Sequence, residues 1–76
     1  MREGHHNAAR GPREGLSRRE REVLDLLSAG LGPSEIAREM GITYDTVQAH
    51  LAALRTKCGA RSTLELAVKS ARDGLP

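Results

Sequence analysis

Three cations, Arg55, Lys57 and Arg61, close a segment of the chain, Gly41 to Ser62, whose only acid is Asp45. Lysine and arginine without acidic neighbours suit the phosphate oxygens of a nucleic acid, and phosphate contact is the chemistry expected of them. The rest of the chain is close to balance. Met1 to Gly15 carries three Arg and two Glu, and Leu16 to Met40 carries four basic and five acidic residues. The formal charge of +2 over 76 residues therefore concentrates on this one stretch.

Other reactive side chains offer less. His50 is the sole histidine outside the first fifteen residues, and either touches phosphate or fills a half-buried place with its ring. No nucleophile or acid–base partner accompanies it, so no enzyme activity and no cofactor are expected. His5 and His6 are adjacent but lack further ligands, which makes them solvated residues and leaves no metal site in prospect. Cys58, the only cysteine, cannot form an internal disulfide and is expected to pack as a small apolar residue. A reducing cytoplasm is the expected setting, and no apolar run is long enough to cross a membrane.

The elements that must position these residues follow from local punctuation. Phe and Trp are absent and Tyr44 is the only aromatic, so Leu, Ile, Val, Met and Ala build the core, a palette that favours helices. Residues 1–15 contain no large apolar side chain beyond Met1 and are expected to be a flexible arm or linker, followed by one domain over residues 16–76. Ser17 and Glu20 form a capping box ahead of Val23, Leu24 and Leu27, and Gly30 ends that helix, expected over about 18 to 29. Arg18, Arg19 and Arg21 interleave with Glu20, Glu22 and Asp25 as a solvated charged face.

Pro33 opens a short second helix with Ile36, Ala37 and Met40 inward and Gly41 as its break. Thr43 caps a third helix whose Val47, Leu51 and Leu54 fall at i, i+4 and i+7 and which runs on to Lys57 and Gly59. Ser62 and Glu65 form a further capping box ahead of Leu64, Ala67, Val68 and Ala71. The expected fold class is all-α: a compact four-helix domain with a flexible N-terminal arm.

Between the second and third helices, "EIAREMGITYDTV" combines a small residue for close helix approach, a glycine for a tight turn, and Ile42 and Val47 to plug the angle. That is the spacing of a helix-turn-helix, in which the second helix of the pair lies in a major groove. The longer pattern resembles the LuxR/GerE-type DNA-binding domain of NarL-like response regulators: "LSRREREVL", "EIA", "TVQAH", "KCG" and "ELAV" occur in order between Leu16 and Gly74. The resemblance implies that the third helix reads DNA and that the fourth pairs two copies on it. Carried over by position, Gln48, Ala49 and Ala52 face the groove, Thr46 offers a hydroxyl to phosphate, and Tyr44 and Asp45 precede them on the same exposed turn. Arg55 and Lys57 extend this DNA-binding set. The chain departs from the family pattern at Gln48 and Ser34, where lysine is usual, at Thr63, where arginine is common, and at Cys58, where leucine is usual.

Glutamine can bond adenine N6 and N7 together, and an alanine methyl can rest on the thymine methyl, so the reader leans towards A·T pairs. Asp45 would repel phosphate unless it accepts from cytosine N4 or caps its own helix start, where a carboxylate is favoured by the dipole, and the cap is the expected role. The leading expectation is a sequence-specific, double-stranded DNA-binding transcription regulator, standalone or the output domain of a larger protein, acting as a homodimer and in possible contact with RNA polymerase. A sigma-factor-like promoter-recognition domain and a helical adaptor that binds no DNA are the alternatives.

Overall fold

The computed structural model describes residues 15–73, so the arm expected over residues 1–15, apart from Gly15, and Gly74, Leu75 and Pro76 lie outside the described residues. Four helices follow in order: α1 (Arg18–Ser28), α2 (Pro33–Met40), α3 (Tyr44–Cys58) and α4 (Thr63–Asp73). No strand occurs among the described residues. α1 and α3 are central, each packing against all three other helices.

Polar side chains set the start of each helix. At α1 the Ser17 hydroxyl accepts from the Glu20 amide at 3.1 Å while Glu20 Oε1 accepts from the Ser17 amide at 3.0 Å, the reciprocal box expected from the sequence. α2 starts at Gly32, which has no side chain to cap with; Glu35 Oε1 accepts its amide at 2.8 Å, and Pro33 occupies the first turn. At α4 the box is displaced. Ser62 Oγ accepts from the Glu65 amide at 3.0 Å, but the Glu65 carboxylate returns to the amide of Arg61, one residue before the cap, at 2.6 Å.

The α2–α3 turn depends on Gly41. Its φ of 69° is left-handed, which lets its own amide and that of Ile42 reach back to carbonyls of the last turn of α2; Ile42 N–H meets the Ala37 carbonyl at 3.0 Å. A side chain there would strain the backbone by about 1 kcal/mol or more.

One core unites Val23, Leu24 and Leu27 of α1, Ile36 and Ala37 of α2, Val47, Leu51 and Leu54 of α3, and Leu66 of α4. Met40, Ile42 and Cys58 pack at its margin, half-buried, in keeping with the packing role expected of the thiol. Local pattern does not settle the buried face of α4, and it misplaces Glu20. α4 turns Leu66 and Ser70 inward with Ala67 beside them, whereas Leu64, Val68 and Ala71 stay exposed. The reason is the partner: α4 lies on α1, where Ser70 meets Ser28 hydroxyl to hydroxyl at 2.7 Å, so one buried position takes a polar residue that apolar periodicity overlooks. Glu20 is also not part of the solvated charged face. It is buried, while Arg19 and Glu22 make the exposed local pair there, at 3.2 Å.

Candidate nucleic-acid interface

α3 has 15 residues, a rod of about 22 Å, and its burial pattern divides it cleanly. Val47, Leu51 and Leu54 are wholly buried, so the opposite side must look outward. Tyr44, Asp45, Thr46, Ala49 and Ala52 are exposed and Gln48 is half-buried at the edge of that outward face. These six side chains are uncharged except for Asp45. Tyr44, half exposed, is the aromatic of this surface.

The start of α3 is held by a pair of threonines. Thr43 Oγ1 accepts from the Thr46 amide at 3.0 Å, and the two hydroxyl oxygens lie 2.8 Å apart. When Thr43 donates to Thr46, the Thr46 proton remains available to an acceptor outside the protein. Thr43 therefore supplies the cap bond, and Asp45 contributes to the helix start only through its place in the first turn, where negative charge meets the positive end of the dipole.

The cationic end of α3 differs from the sequence expectation. Lys57 has an acidic neighbour after all: its Nζ lies 2.8 Å from Glu20 Oε1, with the carboxylate side chain 10% exposed. The same oxygen accepts from the Ser17 amide. Lys57, then the Ser17 backbone, hold the Glu20 carboxyl below its ordinary range, against the opposing effect of partial burial. The reason this was not visible locally is that 37 residues separate the partners. Arg55 is likewise engaged. Its Nη1 reaches Thr63 Oγ1 at the start of α4 at 3.4 Å, a long and weak contact, and the residue is half-buried. Arg61 and Arg38 are exposed cations, and His50 is half-buried on the flank of α3.

Among the described residues no three His, Cys, Asp or Glu side chains stand together as metal ligands, and no helix is long and apolar enough to cross a membrane.

The model of the luxR family of bacterial regulatory proteins matches residues 14–70. The chain is similar to the transcriptional regulatory protein TdiR of Thauera aromatica, 47% identical over 51 residues, which is 67% of this chain and 22% of the relative. It is 41% identical over 59 residues to the transcriptional regulatory protein UhpA of Escherichia coli, covering 78% of this chain and 30% of that protein. The oxygen regulatory protein NreC of Staphylococcus aureus is 43% identical over 51 residues, 67% of this chain and 24% of its own length. The chain thus spans less than a third of the length of these relatives. No solved structure matches it.

Proposed function

The chain belongs to the luxR family of bacterial regulatory proteins and carries its helix-turn-helix DNA-binding domain; on that premise we propose that α3 reads the major groove of double-stranded DNA with Gln48, Ala49 and Ala52. Tyr44, Asp45 and Thr46 border the groove, and Thr46 takes a phosphate. The observation that carries this reading is the division of α3, with Val47, Leu51 and Leu54 sealed in the core and Ala49 and Ala52 on the opposite, exposed side. Short side chains there let the helix approach the base edges closely. Gln48 supplies the hydrogen-bonding edge, and the site leans towards A·T pairs.

The DNA-binding unit spans residues 16–76 and acts in the cytoplasm as a regulator of transcription, by binding and without a catalytic step. It works as a homodimer through α4, since one small module with few cations binds weakly and two linked half-sites multiply affinity. Exposure of Leu64 (75%) and Val68 (47%) on the side of α4 away from the core supports that pairing. RNA polymerase is the further partner of such a regulator.

Selection of bound duplexes from a genomic DNA pool at two salt concentrations tests the reading. Recovery of related, partly palindromic, A·T-leaning sites is the expected result. Absence of any bound duplex would leave the adaptor, and tight binding to core polymerase would leave the sigma-like alternative.

A further inference from the structure

α3 turns one side outward along its length while Val47, Leu51 and Leu54 hold the other in the core, and its tilt on that core also depends on ties at its C-terminal end. Two side chains of the last turns provide anchors beyond the apolar core. Lys57 ties to Glu20 of α1, and Arg55 reaches towards Thr63 of α4. Residues two apart lie about 200° around a helix, so the two contacts brace α3 from opposite flanks. The Lys57 anchor is the stronger. It is charge-assisted, short and shielded on the carboxylate side, and Glu20 is itself fixed at the first turn of α1 by the Ser17 amide.

The geometry points to Glu20 and Lys57 as a positioning pair for DNA recognition: they set the tilt of α3 from its far end, and Lys57 does this in place of touching phosphate. The inference rests on the DNA-binding reading above. The Lys57 ammonium spends one of its three donors on a shielded carboxylate 2.8 Å away, so its charge is matched within the protein and gives little net attraction to a phosphate, although the side chain is 45% exposed. The pair instead acts at a distance on Gln48, Ala49 and Ala52, because a small rotation about the anchored end becomes a displacement at the reading end.

The two roles predict opposite signs for one substitution. Glu20→Gln keeps the shape of the side chain and an oxygen for the Ser17 amide while removing a negative charge from a DNA-binding domain. If Lys57 were a phosphate contact restrained by Glu20, this change would strengthen binding and raise the salt slope by about one. As a positioning pair, Glu20→Gln weakens binding about three- to thirtyfold, the range of side-chain network couplings, with the salt slope unchanged. Lys57→Gln does the same, the double variant is no worse than either single one, and Lys57→Arg, which keeps the ion pair, retains wild-type affinity.

The measurement is titration of the intact chain against its selected duplex across a salt series, at a temperature where circular dichroism finds every variant folded. Should Lys57→Gln fail to fold, Glu20→Gln and Lys57→Arg still decide the sign. Tighter binding by Glu20→Gln, a slope lowered by about one in Lys57→Gln, unaltered affinity in both, or loss of affinity in Lys57→Arg would each overturn the pair. Failure of the wild-type chain to bind any duplex would instead overturn the DNA reading itself.

Discussion

Val47 is fully buried while Ala49, two residues further along α3, is exposed. The pair fixes the rotation of the reader helix and separates stability from binding. Val47→Asp places an unpaired charge in the core at a cost of several kcal/mol, out of a total of about 5 kcal/mol for a domain of this size, and unfolds it. Ala49→Asp stays folded because its carboxylate remains hydrated, and loses DNA because that charge meets phosphates. Circular dichroism of both variants, with a binding titration of the second, checks this; a folded Val47→Asp would mean α3 is rotated from the orientation described.

Gln48 sits where lysine is usual in the family, and if it reads a base as proposed, the exchange should trade general affinity for selectivity. Gln48→Ala relaxes the preference at one base position by about 1 to 3 kcal/mol and leaves the salt slope unchanged. Gln48→Lys strengthens binding to scrambled duplexes and raises the slope by up to about one. Titration against the selected site and a scrambled duplex separates these outcomes, and equal weakening on both by Gln48→Ala would remove base reading from its role.

Leu64 and Val68 project from α4 on its exposed side. Leu64→Glu with Val68→Glu should change the stability of the isolated domain by no more than about 0.5 kcal/mol per site, as surface substitutions do. Sedimentation with the selected duplex should then find one copy bound where the wild type places two. A wild-type complex of one copy per site rejects pairing outright.

Acid should act through Glu20. Lys57 and the Ser17 amide lower its carboxyl below the ordinary value of 4.5, so the folded state binds its proton less readily than the unfolded chain does. The stabilisation is therefore complete above the ordinary value and fades as pH falls through it towards the lowered one. Melting temperatures of wild type and Glu20→Gln, followed from about pH 6 to pH 3, should differ most at the upper end and converge at the lower. Parallel curves would detach Glu20 from the acid response.

The Ser28 and Ser70 hydroxyls, 2.7 Å apart, join α1 to α4, with Ser70 buried. Ser70→Ala should lower stability by about 1 kcal/mol, which moves the melting temperature by about 4 to 8 °C in so small a domain. Ser28→Ala combined with it should cost less than the sum of the two, and strict additivity in thermal melts would show that the hydroxyls act independently.

Much of this molecule was written locally. Ser17 with Glu20, Pro33, Gly41, Thr43 and the i, i+4, i+7 stripe of Val47, Leu51 and Leu54 determine the helices, their limits and the side of α3 that turns away from the core, because caps, left-handed glycines and apolar periodicity act within a few residues. What neighbours do to one another was decided only by tertiary packing. Periodicity could place Leu64 and Val68 on one face of α4, but not say that Leu66 and Ser70 would be the buried ones, since that depends on where α1 lies. Counting charges along α3 left Lys57 without an acid, whereas folding brings Glu20 to it from 37 residues away. An ion pair between distant helices leaves no periodic trace in either, so only the folded domain shows that Lys57 ties the end of its third helix to its first.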